Sequence, residues 1–176
     1  KGKCEDYWLY IIIDEAHNLS NRLIDMLACS IDIRELEKAE KEAKNTASFD
    51  AEFAIKDISK EVESLGTKLS LQRSSAVIPD EELDMLKKIG RDSLEKISIA
   101  ASKFMKKYDT QGSFLLKVEY FINRLIKEKE HTLHVIERKH SLGISINPLD
   151  AAEISQNILH KLNSAVLMSG TLLPLA

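Results

Sequence analysis

The sequence predicts an α/β protein: pieces of a parallel sheet at its two ends, with a large helical insertion between them. Three observations carry that reading. An apolar run from Trp8 to Ile13 stops abruptly at Asp14 and Glu15. A second short apolar run, Ser164 to Met168, stops at Ser169, Gly170 and Thr171. Between them lie charged stretches whose apolar residues recur every three and four positions, the spacing of helices that pack on one face. Charged residues make up 30% of the chain and aromatics 6%, a balance that suits long amphipathic helices better than an all-β fold.

The Trp8–Ile13 run is unbroken rather than alternating, which predicts a strand covered on both faces inside a parallel sheet. Ligands of such sheets sit beyond the carboxyl ends of the strands, where Asp14 and Glu15 fall. Apolar positions at 19, 23, 24, 26 and 27 then predict a short helix, completing a βα unit. Ile33 to Asn45 is charged and helix-prone, with Glu37/Lys41 and Glu40/Lys44 at favourable i,i+4 spacing. Ile55, Ile58, Val62, Leu65 and Leu69 form the narrow stripe of a second helix. Arg73 to Pro79 reads as a loop, and Asp80, Glu81 and Glu82 as an acidic first helical turn.

Leu83, Leu86, Leu94, Ile97, Ala101, Phe104 and Tyr108 continue a core-facing stripe, on which Gly90 marks a possible kink. Ser113 is placed to cap a further helix with Leu115, Val118, Ile122 and Leu125 on its inner face. Thr132–Arg138 and Leu142–Ile146 have strand character, the second alternating apolar with small or polar residues. Pro148 then opens a helix through Ile154, Ile158 and Leu162. The expected division is residues 1–30, the helical insertion 31–131, and a return to the first domain over 132–176.

Composition narrows the function. A net charge of −3 supplies no general attraction to nucleic acid, so contact with it requires a local patch. Lys103 to His140 holds nine Lys or Arg against five acids, whereas Ile31 to Leu65 holds ten acids against six bases. Phe104, Tyr108, Phe114, Tyr120 and Phe121 accompany the basic stretch and offer base stacking, although most fit core stripes equally well. No stretch is long and apolar enough to span a bilayer. Cys4 and Cys29 cannot complete a zinc or iron–sulfur site by themselves and read as free thiols. His131, His134 and His140 lack a companion acid or cysteine pattern and read as ordinary polar residues. The chain opens at Lys1 within a few residues of a strand, as expected of an internal segment of a longer protein.

The string Asp14, Glu15, Ala16, His17, followed by Asn18, resembles motif II of superfamily 2 helicases of the DEAH type, and most closely the XPD family of DNA helicases. Ser169, Gly170 and Thr171, with Leu172 and Pro174, resemble that family's motif III. XPD-like proteins place a helical insertion, the Arch domain, between these motifs, and residues 18–168 separate them here. The resemblance implies a RecA-like motor domain fragment carrying an all-α, Arch-like insertion. It implies that Asp14 binds the Mg2+ of Mg-ATP, that Glu15 orients the attacking water, and that His17, Ser169, Gly170 and Thr171 couple the nucleotide site to the DNA path.

It further implies an ATP-dependent, 5′-to-3′ DNA repair helicase, with single-stranded DNA as partner and protein partners on the insertion. An iron–sulfur cluster is expected in the longer protein, its ligands outside this segment. The compartment would be the cytoplasm of a prokaryote or the nucleus of a eukaryote. A phosphate-binding glycine loop with its lysine is missing from these residues, so this segment alone is expected not to hydrolyse ATP. DinG-like relatives fit the same motifs. The alternative readings are a non-catalytic DNA-gating or protein-docking helical module, and a DEAH-box RNA helicase.

Overall fold

The computed structural model describes residues 10–69, 75–127, 132–150 and 152–170. The chain divides into two compact units, one formed by residues 1–27 with 148–176 and the other by residues 28–147.

In the first unit, β1 (Tyr10–Ile13) leads through a 3-10 turn (Ala16–Asn18) into α1 (Leu19–Leu27). The returning chain supplies α6 (Ala152–Leu159) and β6 (Ser164–Leu167). The strands β1 and β6 pair in parallel, Tyr10 opposite Ser164 and Ile13 opposite Leu167. The sequence predicts burial on both faces of β1, and here the structure differs: Tyr10 and Ile12 are 65% and 69% exposed, and all of β6 is exposed. A parallel strand is buried by strands on either side and helices on both faces, and β1 has one strand neighbour among the described residues. The helix expected from Pro148 begins instead at Ala152, whose N–H is accepted by the Asp150 carboxylate at 2.6 Å. Pro148 itself closes the preceding strand.

The second unit holds β2 (Cys29–Asp32), α2 (Ile33–Asn45), α3 (Phe49–Lys68), β3 (Ser75–Val77), α4 (Asp80–Tyr108), α5 (Phe114–Ile126), β4 (Thr132–Arg138) and β5 (Leu142–Pro148). The helix α2 starts at a capping box, in which Asp32 accepts the Glu35 N–H and Glu35 accepts the Asp32 N–H. Ser113 caps α5 by accepting the Leu116 N–H at 3.2 Å. The predicted stripes face the core: Ile55, Ile58, Val62, Leu65, Leu83, Leu86, Ile97, Leu115, Val118, Ile122 and Leu125 are all fully buried. Tyr108, at the end of its stripe, is 47% exposed.

Gly90 does not break α4, which runs unbroken for 29 residues. A Cβ there would lie 2.9 Å from Cγ2 of Ile122, so the missing side chain lets α4 close on α5.

Besides its helices this unit carries a four-stranded sheet, in the order β2-β5-β4-β3. Its inner face contributes Ile31, Ile136, Ile144 and Ile146 to the core. The strands at 132–138 and 142–148, expected to belong with the returning domain, therefore join the unit of the helices. Their partners decide this: β2 pairs antiparallel with β5, and β3 with β4. Two of these strands carry little sequence signal. The β3 strand is three residues inside a stretch that reads as loop, and β2 is a polar edge strand of four.

Candidate functional site

The sharp turn at the carboxyl end of β1 is made by Glu15. Its backbone adopts the left-handed conformation, φ 52° and ψ 44°, which costs a non-glycine residue roughly 1–2 kcal/mol. Its N–H donates to Oδ1 of Asp14 at 2.8 Å, and the chain then enters the 3-10 turn holding His17. Asp14, Glu15 and His17 are all exposed.

The carboxyl end of β6 lies alongside. Met168 N–H donates to the Ile13 carbonyl and Ala16 N–H donates to the Met168 carbonyl, both at 2.9 Å, so the pairing of β1 with β6 continues past both strands. This clamp sets Ser169 against the histidine, with Nδ1 of His17 2.6 Å from Oγ of Ser169. Oε2 of Glu15 is 3.2 Å from the same Nδ1. The structure thus joins His17 to Ser169 and places Glu15 beside them, with Asp14 linked through the backbone. Gly170 follows in the turn and is exposed, and Thr171 lies outside the described residues. The short reach of Glu15 to His17 is not legible in the sequence, because it depends on the left-handed backbone.

No group of three or more metal-ligating side chains occurs among the described residues. The site does not offer a protein cage for a cation. It offers what Mg2+ uses when it arrives with phosphates: one exposed carboxylate at a strand tip, with most of the coordination shell left to water and phosphate oxygens. One Asp14 oxygen accepts the Glu15 N–H.

Elsewhere, the aromatics of the basic stretch divide. Phe121 is 1% exposed and belongs to the core, Phe104 and Phe114 pack against it, and Tyr108 and Tyr120 are about half exposed. Phe104 and Tyr108 lie with ring centroids 4.7 Å apart, and the Lys107 ammonium sits 5.2 Å from the Tyr108 ring centre. Two exposed phenylalanines escaped the periodicity, Phe49 and Phe53 on the outer face of α3. His134 is buried in the sheet, its Nδ1 4.0 Å from a carboxylate oxygen of Asp80. Cys29 is a free thiol, pushed up by burial and partly restored by the neighbouring Arg124; Cys4 lies outside the described residues. No described helix is long and apolar enough to cross a membrane.

The architecture is mixed α/β, a parallel strand pair interrupted by a large, mainly helical unit. No family model matches the chain, and no curated protein does. Solved structures do match. One described as an XPD helicase aligns over 99% of this chain with a TM-score of 0.52 and 18% identity. The chain spans 29% of that structure's length. The likeness establishes an XPD-helicase-like fold for these residues.

Proposed function

We propose that this chain is the part of an ATP-dependent DNA helicase that runs from motif II to motif III and carries an Arch-like insertion. The observation that carries the reading is the hydrogen bond between His17 and Ser169, which joins the two motif-like turns at the ends of adjacent parallel strands. The fold likeness to an XPD helicase supports it independently.

In this reading Asp14 would hold the Mg2+ that accompanies ATP, which would supply charge neutralisation at the phosphates. Glu15 orients the attacking water. His17, Ser169, Gly170 and Thr171 relay the state of the site toward single-stranded DNA, along which the helicase moves 5′ to 3′. The phosphate-binding loop, the second motor domain and the iron–sulfur ligands belong to other parts of the longer protein, so the segment by itself is inactive. Its compartment is the nucleus or a prokaryotic cytoplasm, wherever the DNA is.

The test is ATP hydrolysis by the full-length protein, with and without single-stranded DNA, for wild type beside Glu15→Gln. The variant is expected to bind nucleotide and to lose DNA-stimulated turnover. Unchanged turnover would show that Glu15 does not act on the water.

A second reading is favoured by the separate core of residues 28–147: a DNA-gating or protein-docking module without catalysis of its own. Binding of single-stranded DNA that weakens steeply with salt would support gating, and salt-insensitive binding of a protein would support docking.

A further inference from the structure

The phenylalanines of the second unit divide into two groups. Phe121 is buried, and Phe104 and Phe114 pack against the core, whereas Phe49 and Phe53 are 65% and 63% exposed. These two stand one turn apart on the outer face of α3, about 6 Å along its axis. The opposite face of the same helix puts Ala51, Ile55, Ile58, Val62 and Leu65 into the core. Phenylalanine is a middling helix former, so propensity does not account for either ring. A single exposed apolar residue is ordinary, but two bulky rings side by side on one helix face make an anchor of the kind that interfaces use.

The charge around the rings selects what covers them. From Phe49 to Lys68, α3 carries five acids, Asp50, Glu52, Asp57, Glu61 and Glu63, against three lysines. Each lysine is already engaged. Lys56 lies 2.6 Å from Glu52 and 3.7 Å from Glu40 of α2, Lys68 reaches Glu82 of α4 at 2.9 Å, and Lys60 meets Asp57 at 3.1 Å. Lys107, at the end of α4, donates to the Asn45 carbonyl at 2.6 Å. The outer side of α3 is therefore acidic as well as aromatic. Such a face repels the phosphates of a nucleic acid or an anionic membrane, and a second copy would oppose acid to acid. A cationic polypeptide satisfies both features. The rings accept cations too, as the Lys56 ammonium shows, 5.5 Å from the Phe53 ring centre.

We propose that the outer face of α3 docks a basic, amphipathic segment of a partner protein. Its apolar side chains cover Phe49 and Phe53, and its Lys or Arg residues face Asp50, Asp57 and Glu63. The proposal gives the docking reading above a surface and a partner chemistry. It does not depend on the hydrolytic role of Glu15.

The experiment measures, by fluorescence anisotropy, binding of an amphipathic helical peptide of Leu and Lys to the full-length protein. A peptide of the same pattern with Glu in place of Lys and a single-stranded oligothymidine are run in parallel. Wild type is compared with Phe49→Ser/Phe53→Ser and with Asp57→Lys/Glu63→Lys. Wild type is expected to bind the Leu/Lys peptide and to prefer it to the Leu/Glu peptide, with an affinity that falls as salt is added. Each double variant is expected to weaken that binding about tenfold or more. The altered side chains are exposed, and Ser matches Phe in helix propensity, so melting temperature, ATP hydrolysis and oligothymidine affinity should hold.

Absent binding of the Leu/Lys peptide to wild type, equal binding of the Leu/Glu peptide, or undiminished binding in either variant would overturn the proposal. Weaker oligothymidine binding in Phe49→Ser/Phe53→Ser would assign the rings to nucleic acid instead. A wild-type dimer in sedimentation that this variant abolishes would assign them to a second copy. Hydrolysis by Glu15→Gln bears on the hydrolytic reading alone, so the two can fail separately.

Discussion

A carboxylate acts where its backbone puts it, and Glu15 and Glu42 illustrate this in opposite ways. Glu15 reaches His17 through a local left-handed turn, a matter of neighbouring residues. Glu42 projects from α2 to a distant helix, where its Oε2 accepts the Ser113 hydroxyl at 2.8 Å and the Leu115 N–H at 3.0 Å. It supplements the Ser113 cap by satisfying another first-turn donor of α5. Glu42→Ala is therefore expected to cost about 1–2 kcal/mol, read as a lower urea midpoint with an unchanged slope. An unchanged midpoint would show that water replaces the carboxylate at no cost. The candidate residues Asp14, Glu15, His17, Ser169 and Gly170 stand out in the sequence because each group is contiguous and follows an apolar run. Glu42 does not, since its partners lie far along the chain.

Among the elements, the packing of α4 on α5 turns on Gly90. Alanine there gains about 1 kcal/mol of helix propensity but brings Cβ to 2.9 Å from the Ile122 side chain. The two effects oppose, so Gly90→Ala should be nearly neutral. Gly90→Val adds bulk without that gain and is expected to destabilise by about 1–3 kcal/mol. Thermal unfolding of the two variants separates the effects, and equal melting temperatures would remove the close-approach argument.

The helices α2 and α3 are tied by charge. Lys44 bonds Glu40 at 2.6 Å and Lys56 bonds Glu52 at 2.6 Å, with Lys44–Glu52 and Lys56–Glu40 at 3.6 and 3.7 Å. The hydrogen bond from Lys56, against the opposing effect of burial, holds the Glu52 carboxyl below the usual glutamate range. Its contribution is present above that range and is lost as the pH falls through the depressed value. Glu52→Gln should flatten this acid limb of the stability curve. The Lys44 ammonium is raised, chiefly by its bond to Glu40, so its share persists below the ordinary lysine range and disappears as the pH rises through the raised value.

At the scale of the molecule, the two units are unequally provided. Residues 28–147 bury apolar side chains from four helices and a sheet, whereas β1 and β6 leave Tyr10, Ile12, Val166 and Leu167 in contact with solvent. A segment comprising residues 28–147 is expected to fold alone and unfold cooperatively. In the 176-residue chain, amide exchange should be slow in α4 and α5 and faster in β1 and β6, whose described side chains are largely exposed. Equal protection in both units would contradict that difference.

The sequence alone determined the helices and singled out the candidate residues at the two strand tips. Periodicity sets which helical face is apolar, and signals such as the acidic first turn from Asp80 and the Ser113 cap mark where helices begin. The acidic and hydroxyl-rich turns could be read because the chemistry is local in sequence. Tertiary structure alone decided the membership of the strands and the meeting of the two turns. The β2 and β3 strands are too short to show a period, and β4 and β5 carry no mark of which sheet they join, since pairing is settled by partners distant in the chain. For the same reason, the approach of Ser169 to His17 exists only once β1 and β6 lie side by side.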